Sequence, residues 1–249
     1  MSGPFDLYKW QAAFRDFNIF FEGLLTTVGV GVLALLLSLV LGIIFGVMNT
    51  SKSKILRCIN RIYVELIQNT PLVIQIFFLY NGLPYIGIVL PVFTIGVLGI
   101  GIYHGAYIAE VVASGISSIS KGQFEASISQ GFSYTQTMRY IILPQALKVI
   151  IPPLANQSVN LIKNTSILAM IAGGDLMYRA DSWSSGNLYY GPAYVITGLL
   201  YFALCFPLAK FAKSLEGNNQ KKTNRKSSKV IIHPNGYNDI DEIKEVALW

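Results

Sequence analysis

The chain has 249 residues, of which 53% are hydrophobic and only 13% charged, about half the charged share of an ordinary soluble domain. That balance excludes a soluble globule and points to a bilayer as the solvent. The net charge of +6 does not imply nucleic acid, because the basic residues fall between apolar runs and in the last forty or so residues, where membrane topology explains them.

A 22-residue lead carrying Asp6, Lys9, Arg15, Asp16 and Glu22 precedes the first apolar run, Gly23 to Met48. The run is longer than the apolar core of a signal peptide, so it reads as a retained span. It contains Gly42 and Gly46, a small-xxx-small spacing that admits a close helix neighbour. Between Glu65 and Glu110 lie 44 residues with no charge apart from the usually neutral His104. As one helix they would reach roughly 66 Å against a hydrocarbon core of about 30 Å, so the chain must turn. Asn81-Gly82-Leu83-Pro84 and Pro91 supply the turn, which predicts spans over about 67–80 and 92–116. A fourth span is predicted over 149–172 and a fifth over 193–211.

Five spans place the two ends on opposite sides. Fifteen of the 19 Lys and Arg residues lie in the connections after the first, third and fifth spans. Only Lys9, Arg15 and Arg179 lie on the other side, and Lys163 is inside the fourth span. The excess assigns the amino terminus to the outside and the carboxyl terminus to the cytoplasm. The chain divides into an extracytoplasmic segment (1–22), a transmembrane region (23–213) and a flexible cytoplasmic tail (214–249), mixed in charge and solvated. Cys58 and Cys205 are too far apart in sequence for a disulfide framework or metal-ligand spacing. With only His104 and His233 as histidines and no nucleophile-elbow pattern, nothing resembles an active site or a metal site.

Ionisable groups within spans are costly and need a reason. Glu110 and Lys163 are the two candidates, either as packing groups or as lining of a substrate route. Asn156, Asn160, Lys163 and Ile167 recur at helical spacing, with Gln157 and Asn164 beside them, so much of one side of the fourth span is polar. The bland alternative is interhelical hydrogen bonding. Tyr103, His104 and Tyr107 on the third span either pack as aromatics or face the same cavity.

The segment 118–144 is too patterned for a connector. Ser120 with Gln123, and Ser133 with Gln136, each fit a capping box, and Gly131 sits where a left-handed residue would end the first helix. The pattern predicts two short helices bent at Gly131, with Phe124, Ile128 and Phe132 presenting apolar surface away from the bilayer. Such surface needs a partner, unless the pair lies on the membrane as an amphipathic hairpin. Within it, Glu125-Ala126-Ser127, then Gly131, then Ile141, Leu143 and Pro144 reproduce the pattern EAA-x3-G-x9-I-x-L-P. This resembles the signature of the membrane subunits of binding-protein-dependent ABC importers, with Ser127 for the family's third Ala. The stretches 65–80, 106–110, 143–147 and 162–166 are similar to further blocks of the histidine, glutamine and arginine permease branch. Gln68 departs from that branch, which usually carries Arg there, and no Arg follows the Ala109-Glu110 block.

The resemblance implies an all-α integral membrane protein of five transmembrane helices, the type I importer membrane domain, in a bacterial plasma membrane. Its loop would act as a coupling helix on a cytoplasmic ABC ATPase dimer, through Glu125, Ala126, Ser127, Gly131, Ile141, Leu143 and Pro144. The other implied partners are a second permease subunit, identical or similar, and an extracytoplasmic substrate-binding protein. Glu110, Asn160 and Lys163 would lie on the path of a polar amino acid. The chain has no GxxxxGK[ST] sequence, so it supplies no P-loop of that form. It would be no enzyme and bind no cofactor, the ATP and Mg being used by the partner ATPase. The rival reading is a self-sufficient ion-coupled carrier or channel, for which the chain shows none of the internal repeats such carriers use.

Overall fold

In hydrocarbon a backbone must satisfy its own hydrogen bonds, so the apolar runs fold as helices. The structure, a computed structural model, describes residues 3–230, with side chains as far as 215. Its elements are α1 (Leu7–Arg15), α2 (Phe17–Thr50), α3 (Lys54–Gln68), α4 (Leu72–Phe77), α5 (Val92–Ser117), α6 (Lys121–Ser129), α7 (Tyr134–Gln136), α8 (Leu143–Asn164), α9 (Leu176–Asn187) and α10 (Tyr190–Val230). No strand occurs among the described residues.

The all-helical class agrees with the sequence, while several boundaries do not. The lead is itself helical in α1, and α2 starts at Phe17 rather than Gly23. Glu22 is tolerated inside α2 because it lies at one end of the bundle, 3.6 Å from Arg179 of α9. The helix α10 runs past residue 214, where the tail was expected to begin, and residues 231–249 lie outside the described residues. Three helices are long and apolar enough to cross a membrane, Phe17–Thr50, Val92–Ser117 and Tyr190–Leu215, and a fourth span is possible if a bent pair counts as one. The count of five is therefore not reached on length and apolarity. α8 has the length, at 22 residues, but its polar side chains keep it out of that class.

The predicted second span, 67–80, straddles a break. α3 and the stretch Leu72–Ile86 meet at 98°, because Pro71 lacks the amide hydrogen and favours an extended residue before it. Gln75 stitches the break by donating to the carbonyls of Ile67 (2.9 Å) and Thr70 (3.1 Å). The chain then widens through a π-turn (Phe78–Gly82), tightens through a 3-10 turn (Leu83–Ile86) and reverses at Gly87. The fourth predicted span starts earlier than 149. α7 passes through a π-helical stretch (Thr137–Ile142) into α8, which continues through Pro152 and Pro153 before a 3-10 stretch (Thr165–Ile171).

The centre of the bundle is the α2–α5 seam. A methyl group added at Gly42 would overlap Ile108, and one at Gly46 would lie 2.6 Å from Cβ of Val112 and 2.8 Å from the Ala109 carbonyl. Both glycines are needed because the two backbones touch there, as the sequence spacing suggested. α5 then carries two further surfaces. Ile108, Val112 and Ile116 pack with Ile142, Ala146 and Ile150 at the end of the bundle that holds α6 and α7. Ile95 and Ile100 pack with Val30, Ile76, Leu161 and Leu168 in the middle. At the opposite end, Ala13, Phe20, Leu176 and Trp183 join α1, α2 and α9, and the Trp183 indole donates to Asp16 at 2.9 Å.

Asp175 caps α9 there, accepting from the Met177 amide at 3.0 Å. It is fully buried, and its second oxygen has no hydrogen-bond partner in the structure. Burial pushes its carboxyl up to about 6, against the pull of the backbone donors.

Two outcomes are expected. Gly46→Leu overpacks the seam by about 1–3 kcal/mol, so the detergent-solubilised protein should unfold at a lower temperature, whereas Gly198→Ala, with open space around the added carbon, should not. Between 3.8 and about 6 the native state keeps the Asp175 proton that the unfolded chain releases. That contribution is complete below this window and disappears as pH rises through it. The fall in unfolding temperature over the window should therefore be shallower in Asp175→Asn; an unchanged slope would refute the assignment.

Candidate functional site

The polar residues of α5 and α8 meet in a cleft of about 260 Å³ lined by Tyr103, His104, Tyr107, Gln157, Asn160, Lys163 and Asn164. Drug-sized ligand sites usually measure roughly 300–1,000 Å³, so this one suits a smaller ligand. α5 contributes three residues within one turn, and the Tyr103 and Tyr107 hydroxyls lie 3.0 Å apart. α8 contributes its side chains two turns deep, at helical repeats that keep 157, 160 and 164 on one face.

His104 holds the cleft together. It is buried, with Nδ1 3.3 Å from the Gln157 side-chain oxygen and Nε2 3.0 Å from the Asn164 side-chain nitrogen. The Asn164 NH2 can only donate, so Nε2 accepts, which leaves the proton on Nδ1 to donate to Gln157. The imidazole is thus neutral and both of its nitrogens are in use. Residue periodicity pointed to Asn156, Asn160, Lys163 and Ile167. Of these Asn160 and Lys163 line the cleft, together with Gln157 and Asn164, which the sequence placed beside the repeat, whereas Asn156 and Ile167 are not among its lining residues. The polar stripe is rotated because α8 turns the 157–164 face toward His104. A histidine facing two amides across helices is the signal that sequence periodicity on one helix could not reveal.

Glu110 lies elsewhere. It accepts from the Gln68 side chain at 2.9 Å and lines a separate pocket of about 510 Å³ with Lys54, Arg57, Asn60, Arg61 and Glu65. It makes no ion pair with Lys163; the ion pairs among the described residues are Arg15–Asp16, Arg61–Glu65 and Arg179–Glu22. Lys163 instead stands on a ridge, since it also borders an apolar pocket formed with Val159, Tyr201, Phe202 and Phe206.

The loop after α5 is the second feature. Gly131 adopts φ +84° and closes α6 in a Schellman turn, with Phe132 N–H donating to the Ser127 carbonyl at 3.1 Å and Gly131 N–H to that of Ile128 at 2.9 Å. The capping box at Ser133 and Gln136 forms in full. The one expected at Ser120 and Gln123 does not form, because Gln123 instead meets Gln145 of α8, at 3.4 Å. The second short helix also does not stand alone, since α7 runs on through its π-stretch into α8.

Phe124 was expected to face away from the bilayer; it packs back against the Ile142 cluster and edge-on to Tyr134. Ser127 is buried, its hydroxyl 2.9 Å from that of Thr137, which explains why a small residue is required there. Ile141 and Leu143 also pack inward. Glu125, Ala126, Ile128 and Pro144 are exposed. The loop thus has a seated inner face and an outer face led by Glu125.

Residues 38–217 match the family of binding-protein-dependent transport system inner membrane components. Among curated relatives, the probable glutamine ABC transporter permease protein GlnM of Bacillus subtilis is 44% identical over 84% of this chain and 96% of its own length. The probable amino-acid ABC transporter permease YckA of the same organism is 36% identical over 84% and 93%. Among solved structures, an amino acid ABC transporter crystallised with histidines superposes with a TM-score of 0.79 at 32% identity, covering 84% of this chain and 98% of that one. The methionine transporter MetNI in an inward-facing form shares the fold at 17% identity and a TM-score of 0.58, over 79% and 94%.

Proposed function

We propose that this chain, which belongs to the family of binding-protein-dependent transport system inner membrane components and is a permease subunit of an amino acid ABC transporter, imports polar amino acids using ATP hydrolysed in a separate subunit. It lies in the bacterial plasma membrane with the amino terminus outside and the loop and carboxyl terminus in the cytoplasm. Its partners are a pair of ABC ATPase subunits that use ATP and Mg, a second permease subunit and an extracytoplasmic substrate-binding protein.

The observation that carries this reading is the two-faced loop. Its inner side is locked to α5 and α8 through Phe124, Ser127 and Ile142, so a push on α6 is transmitted to both helices that line the cleft. Its outer side, with Glu125, Ala126 and Ile128 exposed, is what an ATPase groove would grip. Gly131 belongs to this machinery through its backbone, and Ile141, Leu143 and Pro144 set how the loop enters α8. Asn160 and Lys163 line the route of the substrate. Glu110 is assigned to the route as well, below the cleft, where Gln68 orients its carboxylate.

Two variants test the coupling. At Gly131 an added carbon meets nothing within 4 Å, so Gly131→Leu strains the backbone by about 1–2 kcal/mol without an internal clash. Glu125→Lys alters only an exposed charge. Both should insert and unfold nearly as the unmodified protein does, yet reconstituted with ATPase and binding protein they should lose ATP-driven uptake. Normal uptake in both would rule out the loop as the coupling element.

A further inference from the structure

The loop touches a third element besides α5 and α8. The turn between α2 and α3, Ser51-Lys52-Ser53, brings the Lys52 ammonium to 5.9 Å from the centre of the Tyr134 ring at the start of α7, within the range of a cation–π contact. The Tyr134 ring also meets Phe124 edge-on at 5.8 Å, and Phe124 packs into the Ile142 cluster that seats the loop. Tyr134 thus bridges the seated side of the loop and the α2–α3 turn.

That turn is braced onto α3. The Ser51 carbonyl accepts from the Arg57 guanidinium at 2.6 Å, and the Ser53 N–H donates to the Ser51 hydroxyl at 3.2 Å. Farther along α3, the Tyr63 hydroxyl donates to the Ile102 carbonyl of α5 at 2.7 Å, while its ring stacks on Phe45 of α2 at 4.1 Å. Ile102 immediately precedes Tyr103, which lines the cleft. Beyond Tyr63, α3 ends at the 98° break before Leu72, so a rigid-body movement of α3 need not bend a continuous helix there.

We infer that Lys52 is a positioning residue that ties the coupling loop to α3, and that α3 is a second lever carrying a push on the loop to the cleft wall through Tyr63. The first lever, through Phe124, Ser127 and Ile142, acts on α5 and α8 directly. The second acts on the α5 backbone one residue from the cleft and moves α3 along with it. Two attachments hold the loop against rotation, which a single one would allow. The inference rests on the importer reading above, since it adds a route to the same coupling.

The test uses the full complex of permease, ATPase and binding protein in liposomes, with a mixture of labelled amino acids outside. It reads amino acid imported per ATP hydrolysed, a ratio that does not depend on how much of a variant folds. Lys52→Gln should lower the ratio about two- to fivefold, the scale of an exposed cation–π contact, and Lys52→Arg should restore it. Tyr134→Leu should lower it as well, and adding Lys52→Gln to Tyr134→Leu should make it no worse, as holds for partners in one contact. Tyr63→Phe, which removes only the hydroxyl that reaches Ile102, should also lower it. An unchanged ratio in Lys52→Gln or in Tyr63→Phe, a loss in Lys52→Arg equal to that in Lys52→Gln, or losses that multiply in the double variant would overturn the inference and leave the importer reading standing. No ATP-driven import of any amino acid by the unmodified complex would remove that reading and this inference with it.

Discussion

A bilayer gives helix association no hydrophobic reward, since lipid tails are as apolar as leucine. What holds such a bundle is close approach, and here that happens where Gly42 and Gly46 of α2 let Ile108, Ala109 and Val112 of α5 touch its backbone. The seam fixes α5, and α5 in turn carries both functional features. Its Tyr103, His104 and Tyr107 edge makes one wall of the cleft, and its Ile108, Val112 and Ile116 edge seats the loop. One rigid helix therefore joins the place where a ligand would sit to the place where a motor would push.

The second constraint is that polar groups away from water need partners. Where the chain breaks at Pro71, Gln75 reaches back to two carbonyls. Where α5 meets α8, one imidazole satisfies two amides. Asn60, Asp175, Arg179 and Tyr201 each keep one buried side-chain atom unpartnered, and burial holds the Asp175 carboxyl toward the neutral form. These devices place irregular backbone and polar side chains in the interior without opening the bundle.

Much of this was legible in the sequence, and the failures have physical causes. Gly131 and the Ser133–Gln136 box were readable because each acts over a few residues. The matching Ser120–Gln123 pattern failed because a residue 22 positions away, Gln145, competes for the Gln123 side chain. The predicted 67–80 span failed because Asn69-Thr70-Pro71 breaks it, a signal outweighed by the apolar residues on both sides. The span predicted from 149 began too late, since α8 starts at Leu143 and absorbs Pro152 and Pro153. In the cleft, Asn160 and Lys163 were found from periodicity, whereas the pairing of His104 with Gln157 and Asn164 spans 53 and 60 residues and leaves no trace in local spacing. The family pattern named residues on both faces of the loop, Glu125 and Ala126 outward and Ser127, Ile141 and Leu143 inward, but which side each takes, and the inward seating of Phe124, were set by packing that only the fold shows.

The most direct measurement of the link between loop and motor is cross-linking from Ala126→Cys, made after replacing Cys58 and Cys205, in the reconstituted complex with its ATPase. Ala126 is exposed beside Glu125, so a short bifunctional reagent should join it to the ATPase in high yield. Labelling of that position only by lipid-soluble reagents, with no ATPase adduct, would show the loop lying on the membrane surface and would contradict the docking.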